Sequence, residues 1–173
     1  MFSKVFLIGM MGAGKSSVGK KISEMIDCDY IDMDTIINSS NFINNYSIEE
    51  FRKLEKHEIS KIDLINKNII ISTGGGVVTE SENRKIIKKY YSIYLEASVE
   101  NLIYRVSKDS LYRPLIQSSK DSEVDKDIFK KIFTKRKLKY STLADIIINT
   151  DNKEIDYISQ IIKDHLIQNE IIN

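Results

Sequence analysis

Near the start of the chain, Gly9-Met10-Met11-Gly12-Ala13-Gly14-Lys15-Ser16 completes the pattern G-x-x-x-x-G-K-[ST]. No other segment constrains the fold as tightly, because this loop works only between a buried strand and the first turn of a helix. Both flanks are present. Lys4-Val5-Phe6-Leu7-Ile8 is a short apolar run suited to a buried parallel strand. Downstream, Val18, Ile22, Met25 and Ile26 recur at helical spacing. Gly9, Gly12 and Gly14 are predicted to permit positive φ and so turn backbone N–H groups inward. Those amides, with the positive end of the helix dipole, suit phosphate oxygens. Lys15 has the reach for β- and γ-phosphates, and the Ser16 hydroxyl suits a magnesium shell. A nucleoside triphosphate with Mg2+ is therefore the expected ligand.

The rest of the chain must complete a fold around that loop. At 173 residues it has the length of one domain, and no Ser/Gly-rich stretch marks a linker. A formal net charge of +1 gives no electrostatic reason to invoke nucleic acid or an anionic membrane as partner. The single cysteine, Cys28, excludes an internal disulfide or a thiolate metal cluster and reads as a small core residue. Met1 to Gly14 has the outline of a short signal peptide, but it lacks a small-residue cleavage pattern, and cleavage would remove part of the phosphate loop. No stretch is long enough to span a bilayer. A cytoplasmic protein is expected.

Short apolar strands alternate with helical patterns, the signature of a parallel sheet covered on both faces. Strands are expected near Val5–Ile8, Asp29–Asp32, Ile69–Ser72, Ser92–Leu95 and Asp145–Asn149. Helices are expected over Lys15–Ile26, Ile48–Asn66, Glu80–Lys89, Val99–Lys108, Asp127–Tyr140 and Glu154–Gln168. Ser47-Ile48-Glu49-Glu50 and Thr79-Glu80-Ser81-Glu82 read as capping boxes, and Ser98 as a third cap. Two segments exceed simple crossovers. One opens after the second strand and makes an insertion of about residues 34–60. The other, about 109–124, has no apolar period and reads as a lid.

Ile31-Asp32-Met33-Asp34 places two acids with the same side-chain orientation at the carboxyl end of the second strand, where open α/β sheets bind ligands. One suits magnesium and the other an acceptor hydroxyl. The third strand runs into Thr73-Gly74-Gly75-Gly76, where missing side chains would let a small substrate approach bare amides. Arginine is scarce: Arg52, Arg84, Arg105, Arg113 and Arg136 are the full set. Arg grips carboxylates and phosphates bidentately, which Lys does not. Arg113 lies in the lid segment, Arg136 on the helix after it with Tyr140 one turn on, and Arg105 before it, where it suits a nucleotide base or ribose. Arg84, with no motif around it, reads as solvated. His57 and His165 lie apart from these motifs. The stripe Ile158, Ile161, Ile162 and His165 reads as one packing face.

Taken in order, the phosphate loop, Asp32-x-Asp34, Phe51-Arg52-x-x-Glu55, Gly74-Gly75-Gly76, Arg113-Pro114-Leu115 and Arg136-x-x-x-Tyr140 closely resemble the shikimate kinases. The resemblance implies a three-layer α/β P-loop kinase fold, with a five-stranded parallel sheet in the order 2-3-1-4-5. It implies a single, monomeric kinase domain that uses ATP and Mg2+ to phosphorylate the 3-hydroxyl of shikimate. Gly12, Ala13, Gly14, Lys15, Ser16, Ser17, Arg105, Arg113 and Lys153 would then hold ATP, while Ser16 and Asp32 serve the metal. Asp34, Arg52, Gly74, Gly75, Gly76 and Arg136 would hold shikimate, its carboxylate gripped by the two arginines. Lys15, Asp34 and Arg113 would carry the chemistry, and Glu55 would orient Arg52. Lys153 stands where the family often has Arg, and Ser17 where Thr is usual. A gluconate kinase of the same fold is the main rival. A guanine-specific switch is disfavoured because no Asn-Lys-x-Asp follows a late strand.

Overall fold

Five strands pair in parallel in the order β2-β3-β1-β4-β5, as the resemblance implied. In this computed structural model, which describes residues 3–38, 47–119 and 122–172, they are β1 (Lys4–Ile8), β2 (Asp29–Asp32), β3 (Ile69–Ser72), β4 (Tyr91–Glu96) and β5 (Ile146–Asn149). The order follows from composition. The strands buried along their whole length, β1 and β3, lie inside the sheet, where both faces are covered, and β4 joins them with its middle residues buried. β2 and β5 carry polar or part-exposed residues and form the edges.

The helices are α1 (Lys15–Ile26), α2 (Met33–Asn38), α3 (Ile48–Lys61), α4 (Ser81–Ile87), α5 (Val99–Lys108), α6 (Lys126–Leu143) and α7 (Ile155–Gln168). α1 lies close on the sheet because Gly19 has no side chain. A Cβ there would stand 2.5 Å from the Ser72 hydroxyl and 2.8 Å from the Tyr30 ring. The α7 stripe packs as expected: Ile158 and Ile162 are buried, and Tyr91 Oη lies 2.6 Å from His165 Nε2. His57 is exposed, and Cys28 is half-buried against the core. Among the described residues no helix is long and apolar enough to cross a membrane.

The start of α3 is fixed as expected. Ser47 Oγ accepts from the Glu50 amide at 3.3 Å, and the Ser47 amide donates to Glu50 Oε2 at 2.8 Å. Ser98 caps α5 through the Asn101 amide at 3.3 Å. The box expected at Thr79 does not form. Val77–Thr79 makes a 3-10 turn, Thr79 Oγ1 donates to the Gly76 carbonyl at 2.7 Å, and α4 begins at Ser81 without a side-chain cap. Arg84, expected in solvent, instead donates to the Val78 and Thr79 carbonyls at 2.7 and 3.0 Å. It satisfies acceptors that the irregular turn leaves open.

Both long segments lie partly outside the described residues. Of the 34–60 insertion, 39–46 are not described; α2 and α3 flank them. Of the 109–124 segment, 120 and 121 are not described. Its rest is irregular, yet Ile116 is buried, and the Ile116 carbonyl accepts from the Asp125 amide at 2.7 Å.

Candidate active site

At the carboxyl end of β1 the loop turns on three glycines with positive φ: 149° at Gly9, 82° at Gly12 and 88° at Gly14. Space reinforces conformation at Gly12, where a Cβ would stand 2.8 Å from Val106 and 3.0 Å from the Leu102 carbonyl. Helix α1 then starts with no side-chain cap and no acid in its first turn. Its leading amides are the unsatisfied donors of a helix N-terminus, and the residue side chains leave them to an anion. Ser16 and Ser17 are exposed, whereas the Ala13 amide closes the loop by donating to the Met10 carbonyl at 3.1 Å.

Lys15 is buried, and its ammonium donates to the Met10 carbonyl at 3.0 Å. Burial lowers its pKa from 10.5, opposed chiefly by the negative charge of Asp34 and then of Asp32. One described acceptor leaves two N–H bonds for a ligand. A buried ammonium held this way favours an incoming anion.

The two acids are arranged differently from the sequence expectation. β2 ends at Asp32, and Asp34 is the second residue of α2 rather than a strand neighbour on the same face. The cause is Asp32 itself. Its Oδ1 accepts from the amides of Asp34 (3.0 Å) and Thr35 (3.2 Å), which starts the helix as a cap does. Its Oδ2 accepts from the Tyr30 hydroxyl at 3.1 Å. Tyr30 Oη also lies 3.1 Å from the Ser16 carbonyl, tying Asp32 to the phosphate loop. Burial pushes the Tyr30 phenol up to about 12, so it stays a donor.

Around the glycine turn, side chains occupy the room that missing Cβ atoms leave. A Cβ on Gly74 would stand 2.7 Å from Asp34 Oδ1 and 3.1 Å from Glu55 Oε1, and one on Gly76 would collide with the Arg52 guanidinium. The sequence expectation that the glycines bare their amides to a substrate is thus replaced in part: they let the site's own side chains close in. Desolvation by the surrounding protein atoms raises the Asp34 pKa from 3.8, opposed by the positive charges of Lys15, Arg113 and Arg52.

Arg52 Nη1 donates to Glu55 Oε2 at 2.6 Å, within one turn of α3. Glu55 is buried, and its other oxygen has no described partner. Burial raises the Glu55 pKa, with Arg52 opposing. Arg136, on α6, is buried and donates to the Gly75 carbonyl at 2.9 Å. Its charge is felt by Glu55 and by Lys15, and Arg52 disfavours it as a like charge. Of the two arginines, Arg52 is paired with Glu55, and Arg136 makes no ion pair among the described residues, which leaves its charge open to a carboxylate.

Arg113 is near enough for its charge to act on both Lys15 and Asp34. It also pairs with Asp109 at 2.5 Å and donates to the Leu111 carbonyl at 3.0 Å. Sequence reasoning missed Asp109, since an i,i+4 spacing says nothing in a segment without helical pattern. Arg105 and Lys153 stand apart from this cluster. Arg105 spans from the phosphate loop to the end of β5, donating to the Gly12 carbonyl (3.4 Å), Thr150 Oγ1 (3.1 Å) and the Thr150 carbonyl (2.6 Å). Lys153 is exposed and donates to the Asn149 carbonyl at 2.9 Å. A surface cavity of ≈ 410 Å³ between α5 and α6, lined by Glu100, Tyr104 and Lys130 among others, contains none of these groups.

Among the described residues no cluster of three or more His, Cys, Asp or Glu could hold a metal. A magnesium ion here would therefore rely on phosphate oxygens, with Ser16 and Asp32 supplementing them, and those hard oxygen donors fit it.

A phosphate loop on a five-stranded parallel sheet, faced by an acid beside Lys15 and by converging arginines, defines a P-loop phosphotransferase that acts on an alcohol group. The chain belongs to the shikimate kinase family, whose sequence pattern matches residues 11–166. It is 31% identical over 175 residues to a shikimate kinase of Francisella tularensis subsp. holarctica, covering 97% of each chain. It is 37% identical over 179 residues to the bifunctional shikimate kinase/3-dehydroquinate synthase of Thermotoga maritima, which covers 95% of this chain; the chain spans only 35% of that longer protein. The shikimate kinase from Acinetobacter baumannii in complex with shikimate has the same fold, with a TM-score of 0.87 over 99% of this chain and 97% of that one, at 24% identity. A gluconokinase from Sinorhizobium meliloti shares the fold more loosely, at a TM-score of 0.61 and 14% identity over 96% of this chain and 92% of that one.

Proposed function

We propose that this chain transfers the γ-phosphoryl group of ATP to the 3-hydroxyl of shikimate, giving shikimate 3-phosphate and ADP. The observation that carries the reading is the convergence of Asp34, Arg52 and Arg136 on the Gly74–Gly76 turn, beside the loop that holds the buried Lys15. An acceptor with a carboxylate at one end and a hydroxyl at the other matches that charge layout.

The amides at the start of α1 and Lys15 hold the β- and γ-phosphates of ATP, with Gly12, Ala13, Gly14, Ser16 and Ser17 shaping the loop. Arg52 and Arg136 grip the acceptor carboxylate, and Gly74, Gly75 and Gly76 form the floor beside it. Asp34 accepts a hydrogen bond from the 3-hydroxyl. As that oxygen attacks the γ-phosphorus, its proton passes to Asp34, the bond to the β-phosphate oxygen breaks, and ADP leaves. Lys15 offsets the charge spread over the transferring group, and Arg113 joins it from the lid segment once its pair with Asp109 loosens. Bound magnesium, held through Ser16 and Asp32, would neutralise charge on the phosphates. Arg105 and Lys153 border the nucleotide's base and ribose. The chain works as one kinase domain, with a substrate-binding insertion of about 34–60, a lid of about 109–124, a monomeric state and a cytoplasmic location.

The test is ADP release with Mg2+ and ATP, comparing shikimate with gluconate, and phosphorus NMR of the product to identify the ester. Shikimate-dependent ADP formation with the phosphate on the 3-oxygen is the expected result. No dependence on shikimate, or faster turnover of gluconate, overturns the reading.

A further inference from the structure

The Gly75 carbonyl receives two donors from one helix face: Arg136 Nη1 at 2.9 Å and, one turn later on α6, the hydroxyl of Tyr140. A carbonyl oxygen has two lone pairs, and both are used here. Tyr140 is fully buried, and its ring stacks on that of Tyr94, also buried, with centroids 5.1 Å apart and planes at 23°. Its hydroxyl therefore has little freedom to point elsewhere. The hydroxyl also meets the Arg136 side chain and lies 3.9 Å from Met10 Sδ, in the phosphate loop. Gly75 in turn lies against that loop. A Cβ on it would stand 3.0 Å from the Met11 amide and 3.5 Å from the Met10 carbonyl carbon. The Met10 carbonyl is the acceptor that holds Lys15 at 3.0 Å.

Tyr140 thus touches the seat of Arg136 on one side and, on the other, the side chain of Met10, the residue whose carbonyl seats Lys15. We infer that Tyr140 is a positioning residue that couples the two halves of the site. By sharing the Gly75 carbonyl, it fixes where the Arg136 guanidinium stands and locks the glycine turn against the phosphate loop, so that a bound nucleotide improves binding of the acid acceptor. The ring supplies packing, and the hydroxyl supplies the coupling. Without the hydroxyl, Arg136 keeps the carbonyl to itself and is drawn toward it, away from an incoming carboxylate. Gly75 still has one donor, so the fold loses little.

This inference rests on the proposed acceptor reading, and the experiment separates the two. Wild-type enzyme is first assayed with Mg2+, ATP and shikimate; absence of turnover there refutes the acceptor reading and not the role of Tyr140. Given turnover, Tyr140→Phe keeps the ring and removes only the hydroxyl. The expected result is a rise in the shikimate KM of about 5- to 20-fold, with kcat changed less than about threefold. Calorimetry of shikimate binding with and without ADP should show the ADP-induced gain in affinity shrink, while ADP binding alone is unchanged. Combining Tyr140→Phe with Arg136→Lys should cost less than the sum of the single effects. Unchanged shikimate KM and unchanged ADP-induced gain overturn the proposal. So does a lowered melting temperature as the sole effect, which marks Tyr140 as packing only. If Tyr140→Phe proves unstable, the ADP-induced gain measured at a lower temperature decides between the same outcomes.

Discussion

The two halves of the site are built on opposite principles. The phosphate loop is one contiguous stretch whose work is done by backbone: positive-φ glycines, an uncapped helix start and a single buried ammonium. The acceptor corner is assembled from side chains on three separate helices, Asp34 on α2, Arg52 and Glu55 on α3, and Arg136 and Tyr140 on α6, set around the glycine turn after β3. Backbone donors cannot be mutated away and cost no side-chain ordering, so that half suits a ligand common to many enzymes. The corner depends on long charged side chains held by one another, and there specificity is set residue by residue. One half is general by construction, and the other is particular.

If this contrast holds, the largest effect comes from the one side chain on which the backbone half depends. Lys15→Met should lower kcat at least about a thousandfold, because no other buried cation of the loop meets the transferring charge. The same change should raise the melting temperature of the ligand-free protein. Burial lowers the Lys15 pKa from 10.5, so between the folded value and 10.5 the unfolded chain binds more protons and stability rises with pH. Below that window the folded protein bears the full cost of a desolvated ammonium, which methionine removes. Thermal melts at pH 7 and above pH 10.5 check it: the gain is present at the first and shrinks toward the second. A kcat near wild type would break the assignment of the loop.

Arg136→Ala tests the other half. On the proposed reading, in which the arginine grips the acceptor and not the nucleotide, it should raise the shikimate KM by the equivalent of about 2–4 kcal/mol while ADP affinity holds. Fluorescence or calorimetric titrations with each ligand separate the two. Equal losses for both ligands would erase the division drawn here.

That division also explains what could be read from the sequence. The loop was legible because its function is contiguous: strand, glycines, lysine and helix occur in order, and the structure reproduces them. The sheet order was reached by resemblance and is borne out, while the buried strands β1 and β3 announced themselves as unbroken apolar runs. The corner was legible only as a set of scattered motifs, because contacts such as Arg136 to Gly75, 61 residues apart, have no local signature. Where local rules competed with tertiary ones, the tertiary ones won. Thr79 looked like a cap, yet its hydroxyl turns back to Gly76, and Arg84 closes the turn that a cap would have tidied. Asp34 looked like a strand acid until Asp32 capped a helix in front of it. Asp109 had no signal at all.

The corner should respond to pH on the acid side, whereas the loop lysine titrates on the alkaline side. Burial raises the Glu55 pKa above its usual 4.5, so on acidification Glu55 takes up a proton earlier than an ordinary glutamate. Its pair with Arg52 then weakens, and the shikimate KM should climb on the acid side, beginning above pH 4.5. Glu55→Gln should fix the KM at a value about tenfold higher and flatten that climb, with the ATP KM following the same pH course in both proteins. A climb that survives in Glu55→Gln assigns the dependence to another group.

The smallest expected effect lies at the start of α3, outside both halves but under one of them. Ser47 and Glu50 satisfy each other's amides, and that box anchors the helix that presents Arg52 and Glu55. Ser47→Ala should cost about 1 kcal/mol of stability, lowering the melting temperature by about 3 °C for a chain of this size. Because Arg52 sits one turn beyond the box and is held by Glu55, helix fraying should reach it only partly. The shikimate KM should then rise less than about threefold, with kcat and the ATP KM unchanged. A larger rise in the acceptor KM would mean that the corner is held by its helix more than by its ion pair. The side-chain half would then rest on backbone order after all, and the contrast with the phosphate loop would be one of degree.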